Sequence, residues 1–121
     1  FERIGTMELI ELRCPQVVQD HEIRERAIES PIAQYTRHYI GQDDNSELAF
    51  VALDCLPHVS YLVLYEMFVP LDLRGQGIGT RVLEMIEEFG RANDRQLVQL
   101  YAKPFAKDRS KNELINWYKK R

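Results

Sequence analysis

Apolar positions recur along this chain with two different periods. Residues 61–69, Tyr61-Leu62-Val63-Leu64-Tyr65-Glu66-Met67-Phe68-Val69, are a run of β-forming side chains that predicts a strand. Shortly after it, Ile78, Val82, Ile86 and Phe89 recur at helical spacing, with Arg81, Glu84, Glu87, Glu88 and Arg91 between them. That spacing predicts an amphipathic helix. Upstream, Glu47–Asp54 reads as a strand. Residues 34–40 allow a second helix, but their aromatic and β-branched content favours a strand. The polar residues 41–46 are a turn by composition, so 34–54 read as a hairpin. Residues 7–13 read as a first strand, and Pro15 stands where a helix can begin. That helix has a weak apolar side of Val17, Val18, His21, Ala27 and Ile28. It gains support from a Glu22–Arg26 pair at i,i+4 and ends at Pro31.

Beyond the long helix, Asn93-Asp94 supplies a stop and residues 96–102 a further strand. Strand, helix and strand make a βαβ unit, whose crossover should be right-handed with parallel strands. A loop follows over 103–109. Ser110 and Glu113 then have the spacing of a capping box, opening a last helix with Leu114, Ile115, Trp117 and Tyr118. The pattern predicts an α/β fold in a single domain over residues 1–121, a mixed twisted sheet flanked by helices.

Composition narrows the class further. A chain of 121 residues, 45% hydrophobic and 29% charged, is ordinary for a globular domain with a buried core. A net charge of −3, with no basic face or run, argues against nucleic acid as a partner. Cys14 and Cys55 have no metal-ligand spacing and make no disulfide framework, which suits a reducing cytoplasm. No metal site is expected. His21, His38 and His58 fall into no common pattern and read as surface or packing residues. No apolar run approaches the ~18 residues of a membrane span, and no signal peptide is visible. Phe1 is not an initiator; Met7 is one candidate start, with residues 1–6 upstream of it.

The chemistry sits between strand 61–69 and the helix. Gly75, Gly77 and Gly79 fall within five residues there, so the backbone can take positive φ and approach a ligand closely. The first helical turn adds unshared N–H donors and the positive end of the macrodipole. Together they suit a phosphate or pyrophosphate. A dinucleotide fingerprint is excluded because its third glycine falls on Thr80, and a P-loop is excluded because no lysine is near. A kinase-type glycine loop joins two strands, whereas this one opens a helix. The plain alternative is a turn that merely lets helix and strand pack tightly.

What the residues match is Arg/Gln-x-x-Gly-x-Gly/Ala, written here Arg74-Gly75-Gln76-Gly77-Ile78-Gly79. In this pattern after a hydrophobic strand, the chain resembles the GNAT superfamily of acetyl-CoA-dependent N-acetyltransferases. Leu114-Ile115-Asn116-Trp117-Tyr118 resembles a second segment of that family, an aromatic–tyrosine pair in a short helix. The likeness covers residues 61–121 well and the first half by element order alone. Three departures stand out. Pro70 comes one residue earlier than usual, and Lys111 replaces a frequent asparagine. The Gly-Phe and C-terminal strands that normally follow are missing after Arg121.

The resemblance implies acetyl transfer from acetyl-CoA to a primary amine by direct attack, the acceptor being a small-molecule or peptide amine. It leaves room for a homodimer. Backbone groups of Met67, Phe68 and Val69 would pair with the pantetheine arm. Arg74 and the N–H groups of Gly75, Gln76, Gly77, Ile78, Gly79 and Thr80 would hold the pyrophosphate. Tyr118 maps onto the family's general acid; its plain reading is a core aromatic touching Leu114. Glu66, an acid inside the central strand, is the candidate base, acting directly or through water. It could equally face solvent or pair with an arginine such as Arg74. Simple alternation puts it on one face with Leu64 and Phe68, opposite Tyr65, Met67 and Val69, unless a bulge intervenes. From a different class, the alternative is a module that binds CoA and has lost catalysis.

Overall fold

The computed structural model describes residues 7–44 and 46–99. Five strands form one sheet in sequence order: β1 (Glu8–Leu12), β2 (Thr36–Gln42), β3 (Glu47–Asp54), β4 (Tyr61–Phe68) and β5 (Gln96–Gln99). All neighbours are antiparallel except β4 and β5, which run parallel. Only that pair needs a crossover, and helix α2 (Ile78–Ala92) supplies it. Helix α1 (His21–Glu29) connects β1 to β2. The expected hairpin, βαβ unit and mixed sheet are all present. The end of the last expected strand, the loop after it and the helix with Trp117 and Tyr118 lie outside the described residues.

The two helices gather two separate cores. On the α2 face, Ala49, Val51 and Leu53 of β3 and Leu64, Met67 and Val69 from β4 and its end meet Ile78, Val82, Leu83, Met85 and Ile86. On the α1 face, Ile40, Phe50, Ala52 and Phe68 meet Ile23 and Ala27. Strand β3 is covered on both sides, which is why Leu48 to Leu53 are buried without a break. Phe89, the last of the expected helical stripe, stays at the margin, tilted 6.2 Å from Tyr39. Gly90 takes the inner position instead. A Cβ there would sit 2.7 Å from the Arg95 carbonyl, so only glycine lets the chain turn back this closely into β5.

Helix α1 begins later than Pro15 suggests. Residues Pro15–Val17 form a single 3₁₀ turn, and the helix starts after Asp20, whose carboxylate accepts the Ile23 N–H at 2.9 Å. The Glu47 carboxylate accepts the N–H groups of Gln19 and Asp20 at 3.0 and 2.6 Å, fixing the start of α1 to the start of β3. That anchor comes from 27 residues away, beyond the reach of any local pattern. Among the described residues no helix is long and apolar enough to cross a membrane.

Candidate functional site

The end of β4 leads through Val69 and Pro70 into a 3₁₀ turn, Leu71–Leu73, and then into the glycine turn. Gly75 and Gly77 have φ of 81° and 82°, in the left-handed region that disfavours side chains. A Cβ on Gly75 would meet nothing within 4 Å, so the dihedral and not crowding selects glycine there. Gly77 is the N-cap of α2 and offers no side-chain acceptor. The first bond into the helix runs from the Arg81 N–H to the Gly77 carbonyl at 3.0 Å, so the Ile78, Gly79 and Thr80 N–H groups stand ahead of it. No acid occupies the first turn of α2. The result is a bare, positively polarised helix end, a fitting seat for a pyrophosphate.

Arg74 folds back towards the strand. Its Nε donates to the Val69 carbonyl at 2.8 Å, and its guanidinium lies 5.8 Å over the Phe68 ring. It thereby braces the corner between β4 and the turn. The side chains of Met67 and Val69 are committed to the α2 core and that of Phe68 to the α1 core. What these three offer a ligand is backbone. Among the described residues, β4 pairs with β5 from Tyr61↔Gln96 to Leu64↔Gln99. Extended backbone such as that of 67–69 can offer strand hydrogen bonds to a pantetheine arm.

Strand β4 also carries a bulge. Ala52 faces Glu66, but the next register pair is Leu53 with Leu64, leaving Tyr65 as the extra residue. The bulge resets the alternation. Leu64 packs into the α2 core, Tyr65 lies against the α1 core, and Glu66 turns to the α1 face beside Phe68. Simple parity therefore holds for Glu66 with Phe68 and fails for its pairing with Leu64 and for the placing of Tyr65.

Glu66 is 5% exposed. Its Oε2 takes the Nε–H of Arg26 in an ion pair, and its Oε1 accepts from the Ser30 hydroxyl at 3.0 Å. The cation is thus Arg26 of α1, in place of Arg74 or a local Glu22 pair. His38 of β2 stands in the same cross-strand row, on the other side of Ala52. It is buried against Phe50, edge to face, with ring centroids 4.9 Å apart. Burial holds the His38 imidazole below its ordinary pKa, against the opposing pull of a hydrogen bond to the Pro31 carbonyl and the Glu66 charge. Its Nε2 is buried with no hydrogen-bond partner.

Sequence reasoning missed Arg26 and Ser30 as partners of Glu66, whereas His38 packs against Phe50 as a packing histidine should. The signal for the two was present: Ile23, Arg26, Ala27 and Ser30 follow i, i+3, i+4, i+7, which is one helix face. Two polar residues on a buried stripe call for a buried polar partner, and Glu66 is one.

Beside the glycine turn, a cleft of about 610 Å³ opens between the start of α1, the β2–β3 turn and the 3₁₀ turn. Asp20, Glu22, Asp43, Asp44, Glu47 and Asp72 line it, with no lysine, arginine or histidine among the lining residues.

The mixed sheet, the bulged strand and the bare helix end define an α/β fold whose strand-to-helix turn is suited to an anionic ligand. The family model described as "Acetyltransferase (GNAT) domain" matches residues 34–121, and the chain belongs to that family. No curated protein matches the chain. Solved structures share the fold at low identity. An aminoglycoside acetyltransferase from an uncultured soil metagenomic sample, in complex with trehalose, is 12% identical with a TM-score of 0.61, covering 96% of this chain and 87% of its own. A GNAT family acetyltransferase of Staphylococcus aureus is 10% identical with a TM-score of 0.57, covering 82% and 88%. A GNAT-family protein of Bacteroides thetaiotaomicron is 20% identical with a TM-score of 0.54, covering 85% of this chain. The present chain spans about half of that last protein, 53% of its length.

Proposed function

We propose that this protein transfers the acetyl group of acetyl-CoA to a primary amine. The observation that carries the reading is the bare N-terminus of α2 behind two left-handed glycines, continuous with a bulged strand. The acidic cleft beside it favours an acceptor that arrives as an ammonium ion, since its carboxylates attract cations and repel anions.

Acetyl-CoA supplies an activated acyl carbon and a thiolate leaving group. The N–H groups from Gly75 to Thr80 hold the pyrophosphate, and the 67–69 backbone orients the pantetheine arm. Once solvent has taken one proton from the arriving ammonium ion, the neutral amine can attack. As its nitrogen bonds to the acyl carbon and the carbon–sulfur bond breaks, a further proton must leave nitrogen and one must reach sulfur. Glu66 takes the proton leaving nitrogen, directly or through a water, using a lone pair that Arg26 and Ser30 leave open. Tyr118 gives the one that reaches sulfur, as the family resemblance suggests; a phenol with an ordinary pKa of about 10 is a proton donor at neutral pH. The aminoglycoside named for one structural relative is itself an amine, which is compatible with the acceptor class proposed here.

The test is Gly77→Glu, which forces a side chain and a negative charge onto the proposed pyrophosphate seat. Acetyl-CoA binding measured by calorimetry should disappear while circular dichroism stays native. Unchanged affinity in the folded variant would end the reading. A panel of polyamines, aminoglycosides, amino acids and peptide amines, assayed for CoA release, then separates enzyme from module: binding without release from any amine means that only the cofactor site has been kept.

A further inference from the structure

The acceptor side of the bulge is clamped by one turn of one helix. Arg26 and Ser30 stand i,i+4 on α1, joined directly by the Ser30 N–H to Arg26 carbonyl bond at 2.9 Å that closes the helix. Each grips a different oxygen of Glu66. Ala52, the cross-strand partner of Glu66, and Phe68, two residues on, are both apolar and buried. Among the described residues, the charged or titratable groups around Glu66 are Arg26 from α1 and His38 from β2. Arg26 is one-third exposed at its side chain and Glu66 only 4%.

An ion pair in this position does little for stability that an apolar pair of the same volume would not do as well. Its location is what distinguishes it. Glu66 follows the bulge residue of β4 and directly precedes Met67, Phe68 and Val69, whose backbone is proposed to orient the pantetheine arm. A carboxylate that accepts a proton from an incoming amine must hold one orientation, because misplacement by about 1 Å can cost about 10²-fold in rate. A buried glutamate with three rotatable bonds does not hold one orientation by packing on alanine.

We infer that Arg26 is a positioning residue of the acetyl-transfer centre, acting through Glu66: its guanidinium fixes the carboxylate at the bulge and supplies the countercharge for its burial. Ser30 is the second point of the same clamp. The inference rests on the reading of Glu66 as proton acceptor, and the experiment separates the two.

Turnover per folded molecule and acetyl-CoA affinity are measured for Arg26→Gln, Arg26→Lys, Glu66→Gln and the double variant Arg26→Gln/Glu66→Gln, with whichever amine of the panel gives CoA release. In the wild-type background Arg26→Gln should lower kcat by about 10²-fold, with acetyl-CoA affinity within about twofold. Arg26→Lys keeps the charge without the planar fork and should recover part of the loss. In the Glu66→Gln background the same Arg26→Gln change should alter kcat by less than about twofold, because there is no carboxylate left to position. An equal loss in both backgrounds, or no loss in the wild-type one while Glu66→Gln is impaired, overturns the role of Arg26 alone. A fully active Glu66→Gln overturns the proton-acceptor reading and the clamp with it. Should Arg26→Gln fail to fold, Ser30→Ala replaces it in the same cycle with the same two outcomes.

Discussion

The two faces of the sheet are built on opposite principles. Against α2 lies a dry cluster of thirteen buried residues, all of them apolar, and the helix contributes five of these from a single stripe. Against α1 lies a smaller cluster of seven, and the helix stripe that meets it alternates Ile23 and Ala27 with Arg26 and Ser30. Strand β4 serves both faces, and its bulge decides which residue goes where. The α2 face holds the glycine turn rigidly at the end of β4. The α1 face brings ionisable groups to the bulge. Rigidity and chemistry are thus divided between the two sides of one strand.

Truncation separates them most strongly on the dry side. Ile86 is fully buried in the α2 core, so Ile86→Ala should cost about 2–5 kcal/mol, partly for lost transfer energy and partly for the cavity left behind. The shift in urea midpoint at constant slope is the measurement. A cost below about 1 kcal/mol would mean that this core is loosely packed and that the contrast between faces is unfounded.

On the polar side a smaller and different effect is expected. Glu66→Leu alone or Arg26→Met alone leaves one charge without its partner and should cost roughly 2–3 kcal/mol, below the range for fully buried pairs because Arg26 is partly solvated. The double variant Arg26→Met/Glu66→Leu should return most of that loss, because apolar side chains of similar volume replace a buried ion pair at little net cost. If the double variant were instead as unstable as the sum of the singles, the pair would be a structural necessity. The division of labour between the faces would then collapse.

The same contrast explains what could be read from the sequence. Face α2 is written in local periodicity: Ile78, Val82 and Ile86 at helical spacing announce the helix, and the run 61–69 announces the strand. The glycine turn was equally legible, since Gly75 and Gly77 do take the positive φ that their residue type allows. Face α1 depends on pairings that local rules do not reach. Glu47 anchors residues 27 positions away, and Glu66 meets Arg26 across 40. Helix propensity at Pro15 was outweighed by the Asp20 cap. The parity of β4 was lost to one inserted residue, Tyr65, and period-two counting cannot register a bulge.

The finest test of the comparison is pH, because the α1 face holds a buried histidine. The titratable groups packed against the α2 core, Tyr39 and Cys55, are instead pushed up by burial, away from the acid range. His38 donates one ring N–H to the Pro31 carbonyl, and its Nε2 faces no partner. Protonation would create a buried N–H with no acceptor among the described residues. Desolvation, the largest influence, therefore keeps the folded-state pKa below the ordinary value of 6.5. The sign follows from proton binding. Between the folded pKa and about 6.5 the unfolded chain carries more protons than the folded one, so stability rises with pH across that window. The contribution is complete above about 6.5 and is lost as pH falls through the folded value, with a slope of at most about 1.4 kcal/mol per unit from this one group. His38→Gln keeps a side-chain N–H donor and cannot titrate. It should be somewhat less stable than wild type at pH 7.5, with a flatter dependence between about pH 5 and 6.5, measured as urea midpoints at half-unit steps. Identical slopes for the two proteins would mean that His38 takes up its proton equally well folded and unfolded. In that case the α1 face is wetter than its burial implies.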